Sequence, residues 1–471
     1  MTYPIKLENI KIDRKGLLCL ARLFAYEEGT MLLYSGGNYE TSNRSYLCLF
    51  PYEFIWIQGN DKYRSHMQGE NRLTSPLENP WDALKELLGD LSQEQVFPEW
   101  MGFLTYEMGA YSDPQKKVKA FPSPRIPQAY FQRCAVVLAV DHKEEKSTIW
   151  IADQGEYFLT NENKEWLARL SRPEQWQELL QGVPETSSLL LNGENALALV
   201  KPLEPYEDYC KKIQRAKEQI VAGSLYQVNL SQQLELAGHI NPFQLFYRIN
   251  SINPAPFSAY LKMRDFSIVS SSPERFLKKR GLNLESRPIK GTSPRGKTPE
   301  EDLLNKQNLL DSEKERAELL MITDLMRNDL GRVSSSGSVK TTQLWECEDY
   351  ANVFHLYSVV SSQALPDLHS LEILRACFPG GSITGCPKLS AMELIAELEQ
   401  RSRGIYTGAI GYIASNGDFD FNIAIRTLTV ADNMLSIQLG GAIVADSDPE
   451  KEYQETLHKG QSIFKALSFN P

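Results

Sequence analysis

A mixed α+β protein is what this sequence predicts, and three observations agree with that class without selecting it over other mixed folds. The chain has 471 residues, longer than one ordinary domain yet within reach of a large α/β or α+β enzyme built around a single core. Short alternating or β-branched runs, separated by turn residues, recur along it. Helical stretches with identifiable caps stand among those runs. A hydrophobic content of 42% and a charged content of 23% are those of a soluble globular protein, and a net charge of -10 argues against nucleic acid as the main ligand. A small anionic substrate would therefore need local basic groups.

Strand text comes first. Residues 31–35, 46–50, 54–58, 135–140 and 148–152 read as strands, 81–91 and 164–182 as helical, and 183–188 (Val-Pro-Glu-Thr-Ser-Ser) as a linker. The expected division is therefore residues 1–185 and 186–471. An amphipathic helix over 206–222 ends at Gly223 and leads into a strand over 225–231. Strands at 257–262 and 266–271 deliver the chain to Glu274. Residues 350–361 and 370–377 read as helices, and Pro387 opens another running to about residue 400. Strands at 404–414, 419–429 and 434–439 precede Gly440-Gly441-Ala442, and the last helix starts at Asp448-Pro449.

The chemistry is concentrated between Ser272 and Arg332. There a carboxylic acid, Glu274, a lysine followed by Gly-Thr, Lys290-Gly291-Thr292, and a helix carrying Glu315 and Glu318 offer a proton donor, an amine and metal ligands. Thr298-Pro299-Glu300-Glu301 and Ser312-Glu313-Lys314-Glu315 have N-cap spacing, which predicts two helices. Leu319 to Ile322 make the second apolar nearly all round, so Glu318 is expected to be buried and to need a cation, whereas Glu313 and Glu315 read as an exposed, salt-bridged face.

Further groups have two readings each. Glu452, Glu455 and Lys459 share one helical stripe, which is either solvated or, with Glu318, an all-oxygen Mg²⁺ site beside an anionic substrate. The glycine-rich turn at residues 380–388 has Cys386-Pro387 where a phosphate loop needs Lys and Ser/Thr, which argues against ATP; a plain turn and an anion site at a helix start both remain. Lys290 is either a solvated loop charge or a nucleophile activated by Arg287 and Arg295. His355 reads as a core histidine on an apolar helix face. Seven cysteines without Cys-x-x-Cys spacing point to reduced thiols, no zinc site and a cytoplasmic protein. Charges throughout the first 14 residues leave no signal-peptide core, and no apolar run approaches the roughly 18 residues of a membrane span.

With these residues in place, the chain resembles the chorismate-utilising enzymes, and among them the aminodeoxychorismate synthase component I branch, related to anthranilate synthase component I. The motifs are Ser272-Pro273-Glu274-Arg275-Phe276, Pro288-Ile289-Lys290-Gly291-Thr292, Asp324-Leu325-Met326-Arg327-Asn328-Asp329-Leu330-Gly331, Gly381-Ser382-Ile383-Thr384-Gly385-Cys386-Pro387-Lys388, and Asp448-Pro449 with Glu455-Thr456. They lie between about residues 206 and 465.

The resemblance implies two large antiparallel sheets packed as a sandwich with helices outside. It implies Mg²⁺ at Glu318, Glu452 and Glu455, facing the ring carboxylate of chorismate, and substrate contacts from Gly291, Thr292, Thr384, Tyr406, Arg426, Gly440, Gly441, Ala442 and Lys459. Glu274 matches the acid that protonates the departing C4 hydroxyl and Lys290 the amine that attacks C2, after which ammonia adds at C4. Anthranilate synthases carry alanine at the position of Lys290, and isochorismate-forming relatives carry a lysine where this chain has Gln227, so amination in the aminodeoxychorismate branch is expected. Because the chain shows no glutaminase nucleophile elbow, a glutamine amidotransferase subunit is the expected partner. In the N-terminal part, Ser35, Arg44, Pro256, Phe257 and Ser258 match a tryptophan pocket, with Tyr34 where the feedback-inhibited relatives have glutamate. The rival readings are anthranilate formation and a non-catalytic amino-acid-binding subunit. The latter would need that pocket but not the acid, lysine and carboxylates.

Overall fold

The computed structural model describes residues 5–66, 69–73, 79–91, 96–114, 116, 118–121, 123, 125–152, 159–182 and 197–469. Its strands pair antiparallel throughout, and the pairings join them into one hydrogen-bonded network with helices outside, in keeping with the α+β sandwich. One layer of side chains, including Met31, Cys48, Phe103, Val137, Leu261, Ile268 and Ile410, is shared by strands from both ends of the chain. A second cluster runs from Ile10 through Trp176 to Phe464 and Leu467. The boundary expected at residue 185, with its linker, lies outside the described residues. Among the described residues no helix is long and apolar enough to cross a membrane.

Several elements differ instructively from their sequence reading. Residues 46–50 and 54–58 belong to one strand, Arg44–Gln58, whose register against Ala129–Asp141 slips between Pro51 and Glu53. Pro51 has no N–H to give the ladder and Phe50 takes φ +56°, so a bulge stands where a gap was expected. Residues 350–361 are not helical. Val353–Gln363 is a strand that pairs with Asn283–Arg287, Ile289–Pro294 and Lys340–Asp349, so its apolar residues are buried on both faces and show no period of two. His355 therefore sits on a strand. The strand expected over 419–429 is two, Phe419–Asn422 and Thr427–Ala431, separated by a kink in which Arg426 has φ +51°. A non-glycine residue held there marks a backbone shaped by its surroundings.

The capped helices follow their local signals. Thr298 and Ser312 accept from the backbone N–H groups of Glu301 and Glu315 at the starts of Pro299–Asp311 and Glu313–Gly331. Asp448 does the same for Pro449–Leu467 by accepting from Lys451. The Glu313 helix is nevertheless one-sided: Leu320 is 46% exposed, whereas Leu319, Ile322, Leu325 and Met326 are buried. The expectation of a helix buried all round fails because solvent covers its outer face.

Candidate active site

Glu274 occupies the bend between strands Phe266–Ser272 and Arg275–Arg280, after Pro273 has ended the first of them. Its carbonyl accepts from the N–H of Ile423 at 3.0 Å, and the next residue, Arg275, is locked by paired bonds to Asp420 at 3.0 and 3.1 Å and by Glu285 at 2.6 Å. The Glu274 carboxyl is 3% exposed. Burial pushes its pKa up to about 7, against the opposing pull of a Ser382 hydrogen bond, Lys290, the Ile289 N–H and Arg426. A carboxyl so placed is a proton donor at neutral pH.

Lys290 lies on strand Ile289–Pro294, whose register against Val353–Gln363 slips between Lys290 and Thr292. Gly291 makes the slip with φ +73°, and a Cβ there would lie 3.1 Å from Glu315 Oε2. The Lys290 ammonium donates to the Ser382 carbonyl at 3.1 Å. Burial lowers its pKa, with Glu318 working the other way and Lys459 adding to the depression. Lys290 is thus a desolvated amine and not a solvated loop charge.

Glu315, expected on an exposed face, is half-buried beside Gly291, and burial and then Glu318 raise its pKa. Glu313 is exposed as expected. The Glu318 side chain is 15% exposed, with Lys314 Nζ at 3.8 Å. Across from this helix, Glu452 is 6% exposed and accepts from Ser447 Oγ at 2.6 Å, while Glu455 pairs with Lys459 Nζ at 2.6 Å. Burial works against the Lys459 ammonium, yet Glu455 holds its pKa above the ordinary value. The donors are oxygens on two helices, and burial followed by the neighbouring Glu455 charge raises Glu452. A hard divalent cation suits such a set, since it relieves like-charge crowding among carboxylates. Among the described residues, no three His, Cys, Asp or Glu side chains form a group already able to hold a metal ion.

The floor beneath these groups is backbone. Gly440, Gly441 and Ala442 lie in strand Met434–Ile443 and pair with Ser231, Leu230 and Asn229. A Cβ on Gly440 would collide with the Leu230 carbonyl and come within 2.7 Å of Tyr406 Oη, so only glycine lets Tyr406 approach. A Cβ on Gly441 would lie 3.5 Å from Glu452 and 3.7 Å from Lys459. Thr384 is fully buried, its hydroxyl donating to the Gly380 carbonyl at 2.9 Å.

On the remaining wall, Arg426 Nη2 lies 3.3 Å from His355 Nε2, while His355 Nδ1 is 3.1 Å from Thr292 Oγ1 and 3.3 Å from the Gly291 carbonyl. Because guanidinium only donates, Nε2 accepts and the ring proton sits on Nδ1. Burial and Arg426 push the His355 pKa down to about 3, so the ring stays neutral. Ser382 and His355 were not selected by sequence reasoning as site residues, and Glu315, named with Glu318 on one helix, read as the more exposed of the two. Ser382 stood in plain view inside a quoted motif, but nothing local indicated its partners.

The N-terminal residues Ser35, Arg44, Pro256, Phe257 and Ser258 together line a cavity of about 380 Å³. Ser35 Oγ is 2.6 and 2.9 Å from the carbonyls of Arg44 and Pro256, and the Arg44 side chain is held by Asp141 at 2.8 Å.

Residues 35–465 match the family described as chorismate binding enzyme. The chain belongs to this family. It is 34% identical to aminodeoxychorismate synthase component 1 of Bacillus subtilis, over 88% of this chain and 87% of that protein. It is 46% identical to the protein of the same name from Escherichia coli, over 55% of this chain and 58% of that one. The chorismate-family fold also matches the crystal structure of anthranilate synthase component I from Streptococcus pneumoniae, with a TM-score of 0.74, 28% identity and coverage of 89% and 92% of the two chains. These relatives mark the chain as an enzyme of the chorismate-utilising type, and both amination branches of the family stand near it.

Proposed function

We propose that the protein converts chorismate to 4-amino-4-deoxychorismate, using ammonia delivered by a glutamine amidotransferase subunit. The observation that supports this reading best is the pairing of a desolvated amine with a neutral-pH acid: Lys290 donates to the carbonyl of Ser382, whose hydroxyl donates to Glu274. Arg426 and Lys459 provide the positive charge that an anionic ring acid needs in a chain of net charge -10. Tyr406 and the Gly440-Gly441-Ala442 backbone position the ring, with Gly291, Thr292 and Thr384 around it. Glu318, Glu452 and Glu455 would hold Mg²⁺, which when bound neutralises the ring carboxylate.

Glu274 gives its proton to the C4 hydroxyl, which leaves as water while the Lys290 amine bonds to C2 and the ring double bonds shift. Ammonia then bonds to C4, the C2–N bond breaks and the electron pair returns to Lys290. Splitting the substitution lets one face-specific nucleophile prepare the ring for another. The seven free cysteines suit a reducing cytoplasm, and the "component 1" in the relatives' names suits a partner subunit.

Incubating the chain with chorismate, ammonium and Mg²⁺ is expected to yield the aminated product without pyruvate. EDTA should stop the reaction, and glutamine alone should not replace ammonium. Pyruvate and anthranilate as the main products would replace this reading with the anthranilate one.

The N-terminal cavity is proposed to hold tryptophan as a structural ligand. Mass spectrometry of the denatured protein should then release tryptophan in stoichiometric amount. An empty cavity that also fails to take up added tryptophan in a thermal-shift titration would refute this.

A further inference from the structure

We propose that Ser382 is a positioning residue for the reaction, one that fixes the Glu274 carboxyl against Lys290 so that the transferable proton sits on Oε2. The inference rests on the reading of Glu274 as the acid. Ser382 lies in the short 3-10 turn Gly381–Ile383, is 4% exposed, and makes both contacts at once. Its Oγ is 2.6 Å from Glu274 Oε1, and its carbonyl accepts from Lys290 at 3.1 Å. The Ile289 N–H points to the same Oε1 at 3.4 Å. A proton on Oε1 would face these donor hydrogens. Both of these hydrogen bonds reach Oε1, so the protonated form carries its proton on Oε2. When Oε2–H breaks and the proton passes to the departing hydroxyl, the Ser382 O–H is already in place to stabilise the carboxylate that forms.

The turn is rigid enough for this. On one side Arg403 Nη1 donates to the Ile383 carbonyl at 3.2 Å, and Arg403 is itself held by Glu399 at 2.7 Å in an ion pair whose side chains are each 1% exposed. On the other side Lys388 donates to the Cys377 carbonyl at 2.7 Å and to Asp329 at 2.6 Å, tying the turn's exit to the end of the Glu313 helix. The charged groups facing Glu274 are Lys290 and Arg426, and neither is altered by a change at Ser382.

The test compares kcat/KM against pH, with chorismate and ammonium, for the wild type, Ser382→Ala, Ser382→Thr and Glu274→Gln. Removing a donor from the carboxylate should favour the protonated acid, so Ser382→Ala should move the alkaline limb upward by about one pH unit. Its kcat should fall roughly tenfold, with KM for chorismate nearly unchanged. Ser382→Thr keeps a hydroxyl and should keep the wild-type limb. If Ser382→Ala does not fold, Ser382→Cys, a weaker donor, should show the same upward movement in smaller measure. A limb that stays put or moves down overturns the inference. Full activity in Glu274→Gln would instead overturn the acid itself, whereas an inactive Glu274→Gln with an unmoved Ser382→Ala limb defeats only the role of Ser382.

Discussion

Lys290→Ala is expected to lose amination with external ammonia by on the order of 10³-fold or more, the scale of removing a nucleophile that works with an acid as a unit. The cause is chemical and local. Burial works against the Lys290 ammonium and lowers its pKa, which favours the neutral form that attack requires, and alanine supplies neither the amine nor a substitute for it. Chorismate should still bind, because Arg426, Lys459 and Tyr406 are untouched, so the loss should appear in kcat with little change in affinity. Wild-type enzyme given chorismate without ammonia should carry a mass adduct on the peptide containing Lys290. An alanine variant with normal turnover, together with no adduct on the wild type, would reduce Lys290 to a bystander charge.

Glu274→Gln should be nearly as severe, by roughly 10²–10⁴-fold, since the amide keeps the shape but has no acidic proton. The same residue predicts the pH profile. Its pKa is raised to about 7, so the protonated, active form dominates below that value and is lost above it. The rate should fall on the alkaline side with a limb near neutrality, approaching tenfold per pH unit. A profile flat through pH 8 in the wild type would contradict that assignment.

Signals that act over one turn of helix were legible in the sequence. Thr298-Pro299, Ser312 and Asp448-Pro449 each placed a helix start correctly, because an N-cap needs only residues three apart. Contacts across the sheet were not. Residues 353–363 show no apolar period of two, and pairing with the neighbouring strand Lys340–Asp349 and with the earlier strands Asn283–Arg287 and Ile289–Pro294 makes them a strand. The kink that lifts Arg426 out of its ladder contains no proline or glycine to announce it. The acid and the lysine could be picked out by resemblance, but Ser382 joins Glu274 across 108 residues of chain, and no spacing in the sequence encodes that meeting.

The glycine floor has a consequence for how such a site diversifies. A surface made of Gly440 and Gly441 main chain presents the same amides and carbonyls whatever the neighbouring codons become, and Tyr406 leaves no room for a side chain at Gly440. Natural variation therefore has little purchase on this strand, which in the proposed reaction lies under the ring. New chemistry has to be written on the walls, at single side chains such as Lys290 and Gln227, while the floor is inherited whole.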